Sequence, residues 1–183
     1  MALHPAIVSL FILTASASGE ILGSFTAGSG DSTAAIQVDF FNGNGYLFDW
    51  HFSGESTTGW AALTGLAASL DELTIQADDF GWGAFLTGVG VNADWDYGTG
   101  DQWPIENYWH YWVKDTGSWE QSWVGASDRI LENGDSDAWV FGSSTLPQGV
   151  PAPGALVLFA VALRAVPRRY RAADSLGGSL SRT

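Results

Sequence analysis

The stretch that decides the fold is AIQVDFFNGNGYLFDWHFSGESTTGWAALTGLAASL, residues 35–70. Ala35 to Phe40 alternates apolar and polar positions, the period-2 signature of a strand with one buried face. Asn42-Gly43-Asn44-Gly45 follows, a turn built from the two residue types that best tolerate positive φ, so it predicts a tight hairpin. Tyr46 to Phe52 returns as the second strand. The period then changes. Ser56, Thr57 or Thr58 offers an N-cap. Beyond it Trp60, Leu63, Ala67 and Leu70 fall on one stripe of a helix that has a sheet to cover. Asp71-Glu72 ends it.

Outward from this unit the chain reads as further strands. Leu73 to Ala77 and Gly83 to Val91 are apolar runs of strand length, as are Trp119 to Val124 and Asp137 to Phe141. Asn133-Gly134-Asp135 is the turn before the last of them. Strand, strand, helix and then several strands predicts an α+β domain. We expect a mixed, mostly antiparallel sheet, β-grasp-like, with one main covering helix over residues 35–142. Upstream, residues 18–34 include the Gly- and Ser-rich run Ser24 to Asp31 and read as a linker. Residues 143–149 read as a second linker.

Of 183 residues, 46% are hydrophobic and 14% aromatic, enough for a packed core. There is no Cys, which removes disulfides, thiolate metal sites and a thiol nucleophile. Charge is unevenly placed. From Ser18 to Val150 there are 19 acidic residues against Lys114 and Arg129, a net of −17, whereas the segment beyond carries five Arg and one Asp. Nucleic acid binding relies on cations that neutralise phosphates, so an acidic body argues against it and fits a solvated exterior.

The ends carry address-like patterns. At the N-terminus an apolar run from Ala6 to Leu13 precedes Ala15-Ser16-Ala17, an A-x-A cleavage pattern, which predicts a signal peptide over 1–17 cut after Ala17. The segment before the run has no Lys or Arg, and the alternative is a buried first strand. At the C-terminus Val150-Pro151-Ala152-Pro153-Gly154 leads into an apolar run from Ala155 to Leu163 and then Arg168, Arg169 and Arg171. This order resembles the PEP-CTERM sorting signal of exported bacterial proteins, here over 150–171 with a polar tail at 172–183. The resemblance implies processing by an exosortase at the membrane, with the arginines kept on the cytoplasmic side. Ala152 stands where the motif usually has Glu, and Arg164 and Pro167 shorten the apolar run below the roughly 20 residues of a spanning helix.

The body carries a second resemblance. Thr58-Gly59-Trp60-Ala61-Ala62-Leu63, Phe85-Leu86-Thr87-Gly88-Val89-Gly90, Tyr108-Trp109-His110-Tyr111-Trp112-Val113 before Val124-Gly125-Ala126, and Leu131-Glu132-Asn133-Gly134-Asp135 before Trp139-Val140-Phe141 occur in that order. The order is similar to the small β-grasp-like domain that forms the C-terminal lobe of transcobalamin-type proteins and recurs in bacterial surface proteins. It implies a ligand-holding or surface module, with a corrinoid as one conceivable ligand. The insertion from Lys114 to Trp119 departs from that pattern.

The densest chemistry lies at 94–112, DWDYGTGDQWPIENYWHYW, with four Trp and three Tyr in nineteen positions. Asp94, Asp96 and Asp101 among glycines suggest a calcium loop, although Thr99 and Ile105 occupy the positions where an EF-hand needs Gly and Glu. A solvated acidic turn is the alternative. Trp95, Tyr97, Trp103, Trp109 and Tyr111 are candidate ligand-stacking residues. Strand alternation would send Tyr108, His110 and Trp112 to one face and Trp109 and Tyr111 to the other. Either face can be core instead, the aromatics pairing across strands. No nucleophile elbow, zinc-protease or phosphate-loop motif is present, and we expect no enzyme. The expectation is an exported binding or interaction module at the cell envelope or surface. Its partners would be the exosortase and the membrane during export, then a surface glycan or protein. A small-molecule carrier using the aromatic face is the alternative, and a glycan-active enzyme a more distant one.

Overall fold

A computed structural model describes residues 19–81, 83–101 and 106–149. The proposed signal peptide with Ala15 and Ala17, the sorting-signal residues Val150, Pro151, Ala152, Pro153, Arg168, Arg169 and Arg171, and Trp103 lie outside the described residues. The strands are β1 (Glu20–Gly28), β2 (Ser32–Asp39), β3 (Asn44–Phe52), β4 (Ser56–Thr58), β5 (Leu73–Asp79), β6 (Ala84–Val91), β7 (Asp94–Tyr97), β8 (Trp109–Lys114), β9 (Glu120–Gln121), β10 (Ile130–Glu132) and β11 (Ser136–Phe141). The helix α1 (Gly59–Ser69) stands between β4 and β5.

The architecture is α+β: a mixed six-stranded sheet in the order β1-β3-β2-β11-β8-β9, a three-stranded sheet β5-β6-β7 and a short β10-β4 ladder. Six of the eight strand pairings are antiparallel. The exceptions are β1 with β3 and β2 with β11. The 42–45 turn forms the expected hairpin, closed by Phe40 N–H donating to the Asn44 carbonyl at 2.8 Å. Thr58 is the N-cap, its hydroxyl accepting from the Ala61 amide at 3.1 Å. Leu63 lies on the predicted stripe, but the helix buries Gly59, Ala62, Leu63 and Leu66, with Trp60, Ala67 and Leu70 only at its margin.

One core joins these layers. Ala34, Ile36 and Val38 of β2, Tyr46, Phe48 and Phe52 of β3, and Trp109, Trp139 and Phe141 of β8 and β11 meet Leu63 and Leu66 of the helix. Leu73, Leu86, Val89 and Val91 close it from the three-stranded sheet. Behind the large sheet Trp112, Ala138 and Val140 form a second, smaller cluster against Trp119.

The linker read at 18–34 needs correction, whereas 143–149 forms no helix or strand but is tied down at one residue. Residues 20–28 form β1, parallel to β3, with every second side chain turned inward so that Phe25 stacks on Phe48 at 5.3 Å. Within 143–149, Gln148 is fastened to the back of the sheet. Its amide donates to Asp39 at 2.7 Å, its carbonyl accepts from the Gln37 side chain at 3.1 Å, and its own side chain donates to the Gly43 carbonyl at 2.9 Å. Gly19 packs directly on the Gln148 side chain, so the two ends of the folded body meet. The expected strand at Trp119 to Val124 shrinks to β9, and Trp123 is 98% exposed. Among the described residues no helix is long and apolar enough to cross a membrane.

Candidate functional site

The stretch 94–112 divides into two aromatic rows with opposite surroundings. Its second row lies on β8. Trp109 faces the core, edge-on to Phe40 at 5.7 Å and Phe141 at 5.0 Å, and Tyr111 stacks on Trp139 at 4.7 Å. His110 and Trp112 project from the back of the sheet, where the Tyr108 ring lies tilted against His110 at 4.3 Å. Burial lowers the His110 pKa, and Glu106, 3.0 Å from Nε2, only partly opposes it.

Tyr111 donates its hydroxyl to Asp137, which is fully buried, and Arg129 Nε donates to the same carboxylate at 3.3 Å. Arg129 also meets Asp115 and Asp135, so one guanidinium serves three carboxylates. Burial outweighs Tyr111 and Arg129 and raises the Asp137 pKa to about 6. Tyr111 is pushed well above the ordinary tyrosine range by burial and by that carboxylate. A Cβ on Gly59 would strike both the Tyr111 hydroxyl and Asp137, so glycine at the start of α1 lets the helix sit against this pair. In front of Tyr111 is a cleft of about 190 Å³ lined by Trp60, Phe85, Trp109, Tyr111, Ala126 and Trp139. That volume is below the roughly 300 Å³ at which small-molecule pockets begin.

The first row lies on β7 and is exposed. Asp94 and Asp96 turn inward, whereas Trp95 and Tyr97 face solvent, 46% and 49% exposed. The inward acids hold the strand to the β2–β3 hairpin. Asp94 accepts from Asn42, Asn44 and Tyr46 at 2.6–3.0 Å, and Asp96 accepts from the Phe41 amide at 2.7 Å. The Tyr46 hydrogen bond, more than any other contact, draws the Asp94 pKa down, while burial raises that of Asp96. Asp101 accepts from its neighbour Thr99 at 2.8 Å. The three calcium candidates are thus engaged in separate hydrogen bonds, and no group of three metal-ligating side chains converges among the described residues.

Sequence reading overlooked the floor of this row. Gly90 and Gly88 of β6 stand opposite Trp95 and Tyr97 in register, and Thr74 and Gln76 of β5 stand opposite the glycines. A Cβ at Gly90 would come within 2.6 Å of the Trp95 ring and 2.7 Å of the Thr74 hydroxyl. One at Gly88 would come within 3.0 Å of the far side of the same ring and 3.2 Å of Tyr97. The indole therefore lies along both glycines with its outer face open. Two alternating glycines inside a strand were the available signal, because such a pattern marks a close approach by another group.

The result is an exposed face on which the Trp95 ring lies over the glycines beside the side chains of Thr74 and Gln76, which make no hydrogen bond among the described residues. Arg129 and Asp137, absent from the sequence-based candidates, organise the buried row instead. No known protein family, curated protein or solved structure matches the chain.

Proposed function

We propose that the protein is an exported, non-enzymatic binding module of the cell surface or extracellular matrix that holds a glycan chain on the Trp95–Tyr97 face. The observation that carries this reading is the flat indole on a glycine floor. It leaves one ring face open to the apolar face of a sugar while Thr74 and Gln76 offer hydrogen bonds a short distance away. The same arrangement favours a glycan over a corrinoid, since the rings form an open face and the cleft at Tyr111 is small.

Export rests on the two ends of the sequence: a signal peptide cut after Ala17, and an exosortase-processed signal from Val150 to Arg171. The strand order β3-β2-β11-β8, with β2 and β11 parallel at its centre and the helix after the first hairpin, supports the β-grasp-like reading.

Retention of the full chain on immobilised polysaccharides, compared with Trp95→Ala, tests the binding. Because stacking anchors usually dominate such contacts, at least about a tenfold loss is expected. Equal retention of both proteins would remove the platform. Mass spectrometry of protein recovered from the medium or envelope tests export, with Ser18 as the expected first residue and an intact Met1 as the contrary result.

A further inference from the structure

We infer that the Trp95 face selects glycans whose sugars carry protonated amino groups. This rests on the glycan reading above and narrows its ligand class.

The argument starts with the strand facing the aromatic row. Along β5 Thr74 and Gln76 face outward, because Ile75 between them packs on the core, and Asp78 is exposed just beyond the register shift between Gln76 and Ala77. All three are exposed, and their side chains make no hydrogen bond or ion pair among the described residues. This sets Asp78 apart from Asp94 and Asp96, whose carboxylates are committed to the hairpin. Asp78 pairs with Phe85 in the ladder, two positions along β5 from Gln76, which faces Gly88 and through it Tyr97. Two strand spacings of about 4.8 Å separate the rows. A sugar on the rings therefore lies beside Thr74 and Gln76, and a chain that runs on past Tyr97 reaches the level of Asp78.

Charge selects among the sugars. Lys114 and Arg129 are the basic residues of the described body. Arg129 is locked among three carboxylates, and Lys114 belongs to the other sheet, 4.7 Å above the Trp119 ring. The three-stranded sheet thus has no cation to meet a carboxylate, sulfate or phosphate on a glycan. It offers instead an unpaired acid in a body of net −17, which repels polyanions and draws cationic chains. An amino sugar combines both requirements: an apolar ring face for Trp95 and an ammonium for Asp78.

The test is isothermal titration of the full chain with three probes: a β-1,4-linked glucosamine oligomer, its fully N-acetylated counterpart and a uronic acid oligomer. The glucosamine oligomer should bind about threefold more tightly than the acetylated one at low salt, the scale of one exposed ion pair. That advantage should shrink toward physiological salt. Asp78→Asn should remove the preference and spare binding of the acetylated oligomer. Trp95→Ala should weaken both. Glu55→Gln, an exposed acid in the loop before β4, should leave the preference unchanged.

Equal binding of amine and acetylated oligomers would overturn amine selection and leave the glycan platform standing. A loss with Glu55→Gln equal to that with Asp78→Asn would also overturn it, since the attraction would then be diffuse. A Trp95-dependent preference for the uronate would overturn amine selection in the same way, whereas binding of none of the three probes would overturn the platform itself.

Discussion

Trp95 and Tyr97 on β7, and Trp109 and Tyr111 on β8, are the same chemical pair at the same spacing in one nineteen-residue stretch, yet they have opposite fates. What differs is the layer behind each strand. β8 lies in the large sheet between β11 and β9, and its inward rings meet Phe40, Phe141 and Trp139. β7 is the edge of the small sheet, and its inward positions are acids. Its rings therefore face outward, and the glycines beside them supply a surface on which to lie. Whether an aromatic pair becomes core or exposed surface is thus decided by the residues interleaved with it and by the strand opposite. The rings themselves do not decide it.

The contrast is broken most directly at Trp109. Trp109→Ala should cost about 3–5 kcal/mol in denaturant unfolding, the usual loss for a buried large aromatic. A loss near that of an exposed residue would erase the distinction between the rows.

The buried row also has a titration signature. With Asp137 raised to about 6, the folded protein keeps a proton that the unfolded chain releases above about 4. The contribution of this group therefore falls as pH rises from about 4 to 6. Asp137→Asn should remove that part of the slope in Tm against pH, and an unchanged slope would place the proton elsewhere.

The exposed row is sharpened at its floor. Gly90→Ala should cost about 1 kcal/mol, the low end for overpacking, because the Trp95 ring can lift away. Combining it with Trp95→Ala should recover that loss, since alanine suits a strand better than glycine once the ring is gone. Additive losses in the double variant would mean that the indole does not rest on Gly90. Trp95→Ala alone should cost at most about 1 kcal/mol, as for other cross-strand pairs. Smallest of all, Trp123→Ala should change the unfolding midpoint by less than about 0.5 kcal/mol, its side chain being wholly in solvent.

Local signals were legible and non-local ones were not. The 42–45 turn, the Thr58 cap and the last strand could be read because each is set by a few consecutive residues. β1 could not, because its two glycines have low strand propensity and its order comes from a parallel partner some two dozen residues away. Gln148 was invisible for the same reason: its partners Asp39, Gln37 and Gly43 lie more than 100 residues back. At β7 the period-2 alternation of Asp and aromatic residues was present, but the acids invited a metal reading. Only the hairpin that receives Asp94 and Asp96 shows their role. On the helix the bulk of Trp60 and Leu70 drew the stripe away from Ala62 and Leu66, which small neighbours allow closest to the sheet.

The meeting of Gly19 with Gln148 makes the body a self-contained cassette. Both attachment points leave from one corner, beside the Gly43 carbonyl that bonds the Glu20 amide and the Gln148 side chain. Residues 19–148 therefore suit insertion into a surface loop of a host protein, since both attachment points leave from the same side. By the same geometry a short bridge from 148 to 19, with new ends opened at the exposed 115–118 turn, yields a permuted chain with every ladder of the large sheet intact except the β8–β9 connection.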